Sequence, residues 1–253
     1  MSPLSVLSLF SGIGAFEKAL SNNGIPFELI NYCEVDKYAA KAYSLLHNIP
    51  ASKNLGDITK VDEKTLPQNI DLLTYGFPCQ DISTAGIQKG LFNADGSVTR
   101  SGLFFEALRI IKHCKPKIAI AENVKALTCS RFTTQFALVL QCLQDAGYRN
   151  YWKLLDAKDF GLPQVRERIL IVSIREDVDA SSFHFPDPIP LTSCLDDFCE
   201  TDVPEEFFLT KEQIEKYENS TYYLTRHRLQ DRYGICHTLC ASGSIKCVCE
   251  KVK

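Results

Sequence analysis

No stretch of this sequence approaches the roughly 20 consecutive apolar residues that a membrane-spanning helix needs. The opening MSPLSVLSLFSGIGAF lacks a basic leader, and its short apolar run stops at a glycine turn, so no signal peptide is read there. Internal repeats and low-complexity tracts are missing, which excludes solenoids and propellers. Strong charge of either sign is missing too: the net charge is −3 over 253 residues. Patches steer ligands more than totals do, so this balance neither requires nor excludes a nucleic-acid partner. Cysteine is plentiful at 11, yet the number is odd, the positions are scattered, and no secretory signal accompanies them. A reducing, cytoplasmic setting fits that usage. Cys236 and Cys240 are separated by three residues and Cys247 and Cys249 by one, so the two-residue spacing of a zinc knuckle is lacking and no metal site is expected.

What the chain does have is unevenly spread. Residues 176–218 hold 13 Asp and Glu against Lys211 and Lys216, whereas residues 101–175 hold 12 Lys and Arg against 6 acids. The first 175 residues alternate short β-like apolar runs with amphipathic stretches. The pattern predicts strands over Leu4–Phe10, Phe27–Cys33, Leu72–Phe77, Lys117–Ala121, Tyr151–Leu155 and Ile169–Ile174. It predicts helices over Ala15–Asn22, Lys37–His47, Leu103–His113 and Thr133–Ala146. Such alternation implies an α/β fold with a mostly parallel, doubly wound, Rossmann-like sheet. After Arg175, prolines at 186, 188 and 190 and the acidic run mark a linker or second unit. The expected division is therefore 1–175 and 176–253. Within the latter, Thr210 with Gln213 three residues on predicts a capped helix.

In doubly wound sheets ligands sit at the carboxyl ends of the strands. Gly12 and Gly14 follow the first predicted strand, Glu34 closes the second, Cys79 follows the third, and Glu122 follows the fourth. These groups would share one cleft. The turn Phe10-Ser11-Gly12-Ile13-Gly14 lets a ligand approach main-chain NH groups, and Glu34 could accept bonds from ribose hydroxyls. Glu17 stands where a pyrophosphate-binding fingerprint wants a third small residue, which favours a nucleoside cofactor without phosphates. A Gly-x-Gly turn also serves simply as a tight connection. Cys79, held behind Pro78, reads as a thiolate nucleophile or as a structural thiol. Glu122-Asn123 reads as a proton donor beside an apolar strand or as a helix cap. Gln164, Arg166 and Arg168, at period two, would face one side and present two guanidinium groups, or form a solvated face.

In order, FSGIGAF, NYCEVDKYA, GDIT, GFPCQDIS, RSGLFFEALRI, ENV and QVRER resemble the motifs of the cytosine-C5 DNA methyltransferases over residues 4–175. The resemblance implies an S-adenosylmethionine-dependent methyltransferase fold, double-stranded DNA as substrate, and no membrane partner. It implies that Phe10, Ser11, Gly12, Ile13, Gly14, Glu34, Val35, Asp57, Ile58, Pro78 and Leu103 hold S-adenosyl-L-methionine. It implies Cys79 as nucleophile, Glu122 as proton donor at ring N3, and Arg166 and Arg168 as orienting groups. Gln80, Ser83, Asn123 and Gln164 would contact substrate, and residues 80–100 would form a loop closing over DNA.

Arg232-Tyr233-Gly234-Ile235-Cys236-His237-Thr238-Leu239 resembles the start of a later recognition segment, after which no match to the last two family motifs follows. The target-recognition region is thus expected to be partial. Two alternatives follow: a truncated or split enzyme needing a C-terminal complementing polypeptide, or a transfer-RNA cytosine methyltransferase. Phe77-Pro78-Cys79 in place of Pro-Pro-Cys leans away from the latter.

Overall fold

Each strand and helix anticipated in the first 175 residues forms in the computed structural model, which describes residues 2–78, 91–93, 99–224, 229–238 and 247–249. The strands are β1 Leu4–Leu9, β2 Phe27–Cys33, β3 Leu72–Tyr75, β4 Ile118–Val124, β5 Tyr148–Asp156, β6 Gln164–Val165 and β7 Glu167–Arg175. The helices are α1 Ala15–Asn22, α2 Lys37–His47, α3 Phe104–Cys114 and α4 Thr133–Asp145. Six of these strands make one sheet in the order β2-β1-β3-β4-β7-β5. The β1–β2, β1–β3 and β3–β4 pairs are parallel, and β4–β7 is antiparallel.

Alternation along the strands explains why helices cover both faces. Leu7, Leu9, Leu73, Tyr75, Ala119 and Ala121 point into a cluster shared with Phe104, Ile110 and Ile111 of α3 and Val139 and Leu143 of α4. Their neighbours Val6, Leu72, Ile118 and Ile120 point the other way, toward Leu20 of α1 and Ala40 and Tyr43 of α2. A strand buried on both faces reads as a near-continuous apolar run, which is how LSVLSL and LLTY read.

Local chemistry sets the ends. Asp36 caps α2 by accepting from the backbone of Tyr38 and Ala39, both at 2.9 Å. At the opposite edge of the sheet, Asp71 Oδ2 accepts from Ser5 N and Oγ at 2.9 and 2.8 Å, while Lys117 Nζ lies 2.8 Å from Oδ1. Hydrogen bonding from Lys117, then from the Ser5 backbone, holds that carboxyl down at about 2.

The boundaries differ from expectation where long-range pairing intervenes. β1 stops at Leu9 because Phe10 enters the left-handed region, with φ 52°. β4 runs on through Glu122 and Asn123, which pair with Leu170 and Ile169 of β7, so neither residue caps a helix. Gln164, Arg166 and Arg168 do not share one strand face. Gln164 lies in β6, Arg166 between the two strands, and Arg168 in β7. The break arises where Asp156 Oδ1 accepts from Arg166 N at 2.8 Å and the Arg166 carbonyl accepts from Ala157 N at 3.2 Å.

The chain divides into two units whose sequences interleave: Met1–Leu154 with Arg168–His184, and Leu155–Glu167 with Phe185–Lys253. The division expected from composition instead had one crossing, after residue 175. In the second unit β6 pairs with β9 Cys236–His237, and β8 Leu229–Asp231 pairs with β10 Cys247–Cys249. Its helix α5, Lys211–Asn219, carries the anticipated capping box between Thr210 and Gln213.

Candidate functional site

Parallel register fixes where the loops emerge. Cys33, Leu9, Tyr75 and Ala121 stand in one row across β2, β1, β3 and β4. The next residues along each strand are Glu34, Phe10, Gly76 and Glu122. The strand order reverses direction at β1, which has β2 on one side and β3 on the other. That reversal makes the crevice outside the ends of β1 and β3 the binding position of this fold.

Three of the five residues after β1 have positive φ: Phe10 at 52°, Gly12 at 55° and Gly14 at 84°. Ser11 N donates to Cys33 O at 3.1 Å, and Gly14 N returns to Ser11 O at 2.9 Å, closing the turn. Among the described residues, nothing lies within 4 Å of where a Gly12 side chain would begin. Gly12 N donates to Glu34 Oε2 at 2.8 Å, and Asp36 N donates to Oε1 at 2.8 Å. A carboxylate has about four lone-pair positions, so Glu34 keeps acceptor capacity for hydroxyl groups. Ser11 Oγ is buried and meets no partner among the described residues.

Two residues not singled out from sequence hold this arrangement together. Asn54 accepts from Glu34 N at 3.0 Å and from Gly56 N at 2.9 Å, and donates to Glu34 O at 3.0 Å. It thereby ties the Glu34 loop to the Asp57 loop. Asp57 caps a short 3-10 turn over Ile58–Lys60, and its side-chain bond from Thr59 holds the carboxyl below the usual range. Arg109 of α3 donates to Ile58 O at 3.1 Å and Val61 O at 2.9 Å, anchoring the same turn. No sequence motif marks Asn54, and Arg109 is one of three basic residues on α3, with Lys112 and His113.

The other expected cofactor residues lie around this frame. Ile58 is buried, and Leu103 packs at the margin of the core cluster that contains it. Ile13 and Val35 are exposed, 55% and 76%, as groups waiting for an apolar partner would be. These residues fit a nucleoside ligand: a Gly12 backbone clear of the other described residues, a Ser11 hydroxyl with no partner among them, and a carboxylate at Glu34.

Beyond β3, Phe77 is 2% exposed and its ring packs on Phe104 at 5.5 Å. Asn123 Nδ2 donates to Phe77 O at 3.1 Å, and Asn123 Oδ1 accepts from Val124 N at 2.9 Å. Asn123 is 2% exposed, so its amide is directed at the chain that leads into Pro78 rather than at a substrate. Cys79, Gln80 and Ser83, with most of the expected closing loop, lie outside the described residues. Glu122 Oε1 is 2.8 Å from Arg168 Nε, and Glu122 Oε2 is 3.7 Å from where a Gly76 side chain would begin. The carboxylate therefore stands three residues short of Cys79, at the end of β3. In the second unit Gln164 pairs with Cys236.

Among the described residues, no three His, Cys, Asp or Glu side chains gather as a metal site, and no helix is long and apolar enough to cross a membrane. Cys33, Cys114, Cys129, Cys142, Cys194 and Cys199 form no disulfide. Burial pushes the Cys33 thiol up to about 12, so this cysteine in the row of strand ends is not a ready nucleophile.

Comparison with known proteins gives a consistent result. The family model described as C-5 cytosine-specific DNA methylase matches residues 4–241. The orphan methyltransferase M.SPRI of Bacillus phage SPR is 43% identical over 178 residues, covering 70% of this chain and 39% of that one. The type II methyltransferase M.HhaI of Haemophilus parahaemolyticus is 33% identical over 258 residues, covering 96% and 76%. This chain spans well under two thirds of the length of M.SPRI and of M.Rho11sI from Bacillus phage rho11s, at 39% and 34%. Among solved structures, the Entamoeba histolytica methyltransferase EhMeth matches with a TM-score of 0.72 at 16% identity, over 98% of this chain and 74% of that one. A Spodoptera frugiperda DNMT2 variant matches with a TM-score of 0.70 at 21% identity, over 95% and 71%. At such identities these two carry the fold alone.

Proposed function

The chain belongs to the C-5 cytosine-specific DNA methylase family, and from that premise we propose that it transfers a methyl group to C5 of cytosine in double-stranded DNA. The observation that carries this reading is the row of strand ends, which brings Glu34, the Gly12 turn and Glu122 to one edge beside the segment entering Cys79. Bound at the Gly12 turn, S-adenosylmethionine would supply an electrophilic sulfonium methyl. Glu34 would accept its ribose hydroxyls, Asp57 and Ile58 would border its adenine, and Ser11 and the Gly12 backbone would face its remaining polar groups.

Cytosine C5 is too weak a nucleophile to take a methyl unaided. Addition of the Cys79 thiolate to C6, with a proton delivered by Glu122 to ring N3, leaves C5 enamine-like. Arg168 would hold the Glu122 carboxylate in the direction of the ring. After transfer, the C5 proton would pass to solvent water as the thiolate leaves C6, and the N3 proton would return to Glu122, giving neutral 5-methylcytosine and free Cys79. In a duplex these ring atoms are stacked, so the base must leave the helix to reach the crevice. Gln164 and Arg166 are assigned to base contacts from the QVRER motif, and residues 176–253 to a linker and a partial target-recognition region. Reduced thiols fit a cytoplasmic enzyme.

The test is methyl transfer from labelled cofactor to mixed-sequence duplex DNA and, in parallel, to transfer RNA. We expect 5-methylcytosine in DNA, and its loss in Cys79→Ala with cofactor binding retained. Label appearing in DNA through Cys79→Ala at the wild-type rate would refute the covalent route. Label in transfer RNA alone would move the substrate to RNA.

A further inference from the structure

The Gly12 turn leans on a residue outside the family motifs quoted above. His47 is the last residue of α2, and its Nε2 lies 2.9 Å from the carbonyl oxygen of Ile13. A carbonyl only accepts, so the imidazole must carry its proton on Nε2 to make this bond. The approach is close: a side chain on Gly14 would begin 2.2 Å from His47 Nε2 and 2.8 Å from Tyr43 Cε2. Glycine at 14 is thus required twice, by its φ of 84° and by the imidazole beside it.

The imidazole is itself placed by a ladder of rings. Tyr32 of β2 stacks on Tyr43 of α2 at 4.0 Å and 14°, and Tyr43 meets His47 at 4.8 Å. The Tyr32 hydroxyl lies 3.1 Å from Ser44 Oγ, fixing the base of the ladder. His47 also borders a cavity of about 170 Å³, lined in addition by Glu17, Tyr43 and Leu46. Glu17 is 1% exposed, and its carboxylate acts on the Tyr43 hydroxyl. Burial, then the charge of Glu17, holds the Tyr43 phenol far above its ordinary range, so the ring is neutral where it meets His47. With a cavity beside it, the imidazole is not enclosed by packing alone, and the bond to Ile13 adds a directional constraint.

We propose that His47 is a positioning residue for the cofactor, acting through the Ile13 carbonyl to hold the Phe10–Gly14 turn in its binding conformation. The turn needs such a brace. Phe10 has φ 52°, a region that bulky residues rarely enter, and such a backbone persists only where its surroundings over-determine it. A turn preset by α2 saves the ligand the cost of ordering it. The inference rests on the reading of this turn as the cofactor site.

Three variants separate the bond from the bulk: His47→Leu keeps volume without a donor, His47→Ala removes both, and His47→Gln restores an NH of similar reach. S-adenosylmethionine affinity is measured by titration calorimetry, the kcat and KM split by methyl transfer, and folding by thermal denaturation. We expect His47→Leu and His47→Ala to weaken cofactor binding about fivefold, the ~1 kcal/mol of one net hydrogen bond. The loss should fall on KM for the cofactor more than on kcat. His47→Gln should bind within about twofold of wild type. Wild-type affinity in His47→Leu, or a His47→Gln variant as weak as His47→Leu, overturns the proposal. If the wild-type chain takes up no cofactor, the assignment of the turn fails first and this inference goes with it.

Discussion

At the scale of single residues, the chemistry turns on which groups face the crevice and which merely hold it. Glu122 is half-buried, paired with Arg168 at 2.8 Å, and beside Gly76. A proton donor at such a position contributes about 10²–10⁴-fold to a rate. Glu122→Gln should therefore lower methyl transfer by at least about 100-fold in a single-turnover assay while leaving cofactor affinity near wild type. A loss under tenfold would remove Glu122 from the mechanism. Asn123 stands next to it and does something different: buried, it fastens Phe77 O, two residues before Cys79 in sequence. The sequence places these two side by side and cannot tell them apart, because a strand sends neighbours to opposite faces only once the strand is known to continue through them.

At the scale of elements, the helices were the most legible part. α1 and α2 run over the ranges that periodicity predicts, because each is bounded by a residue with a local reason to stop it: Gly14 before one, Asp36 before the other. The Asp36 cap can be weighed directly. Asp36→Ala removes an acceptor from two backbone NH groups, and should cost about 1 kcal/mol in urea denaturation. An unchanged midpoint would mean that packing of Tyr43 alone fixes the helix start. Strand ends were less legible. β4 gains three residues through antiparallel pairing with β7, a partner about 50 residues away that no local window contains. The same non-locality hid Asn54, Arg109 and His47. Each works through backbone atoms of distant loops, and backbone atoms leave no mark in a sequence.

At the scale of the molecule, acid stability has an identifiable source. Asp71 is held at about 2, below the 3.8 of an unperturbed carboxyl, by Lys117 and Ser5. A folded-state value below the unfolded one stabilises fully above the unfolded value and is lost as pH falls through the folded one. Wild type should thus exceed Asp71→Asn in stability at pH 6, and the gap should close between about pH 4 and pH 2. A gap undiminished at pH 2 would refute the assignment. Lys117 is half-exposed, so added salt should narrow the gap as well. The interleaving of the two units has a separate consequence for anyone wishing to exchange the second unit for that of a relative. Residues 155–167 leave and re-enter the sheet-bearing unit between β5 and β7, well before the second departure after His184. A single splice would strand that excursion with the wrong parent, so a working hybrid must exchange two cassettes together.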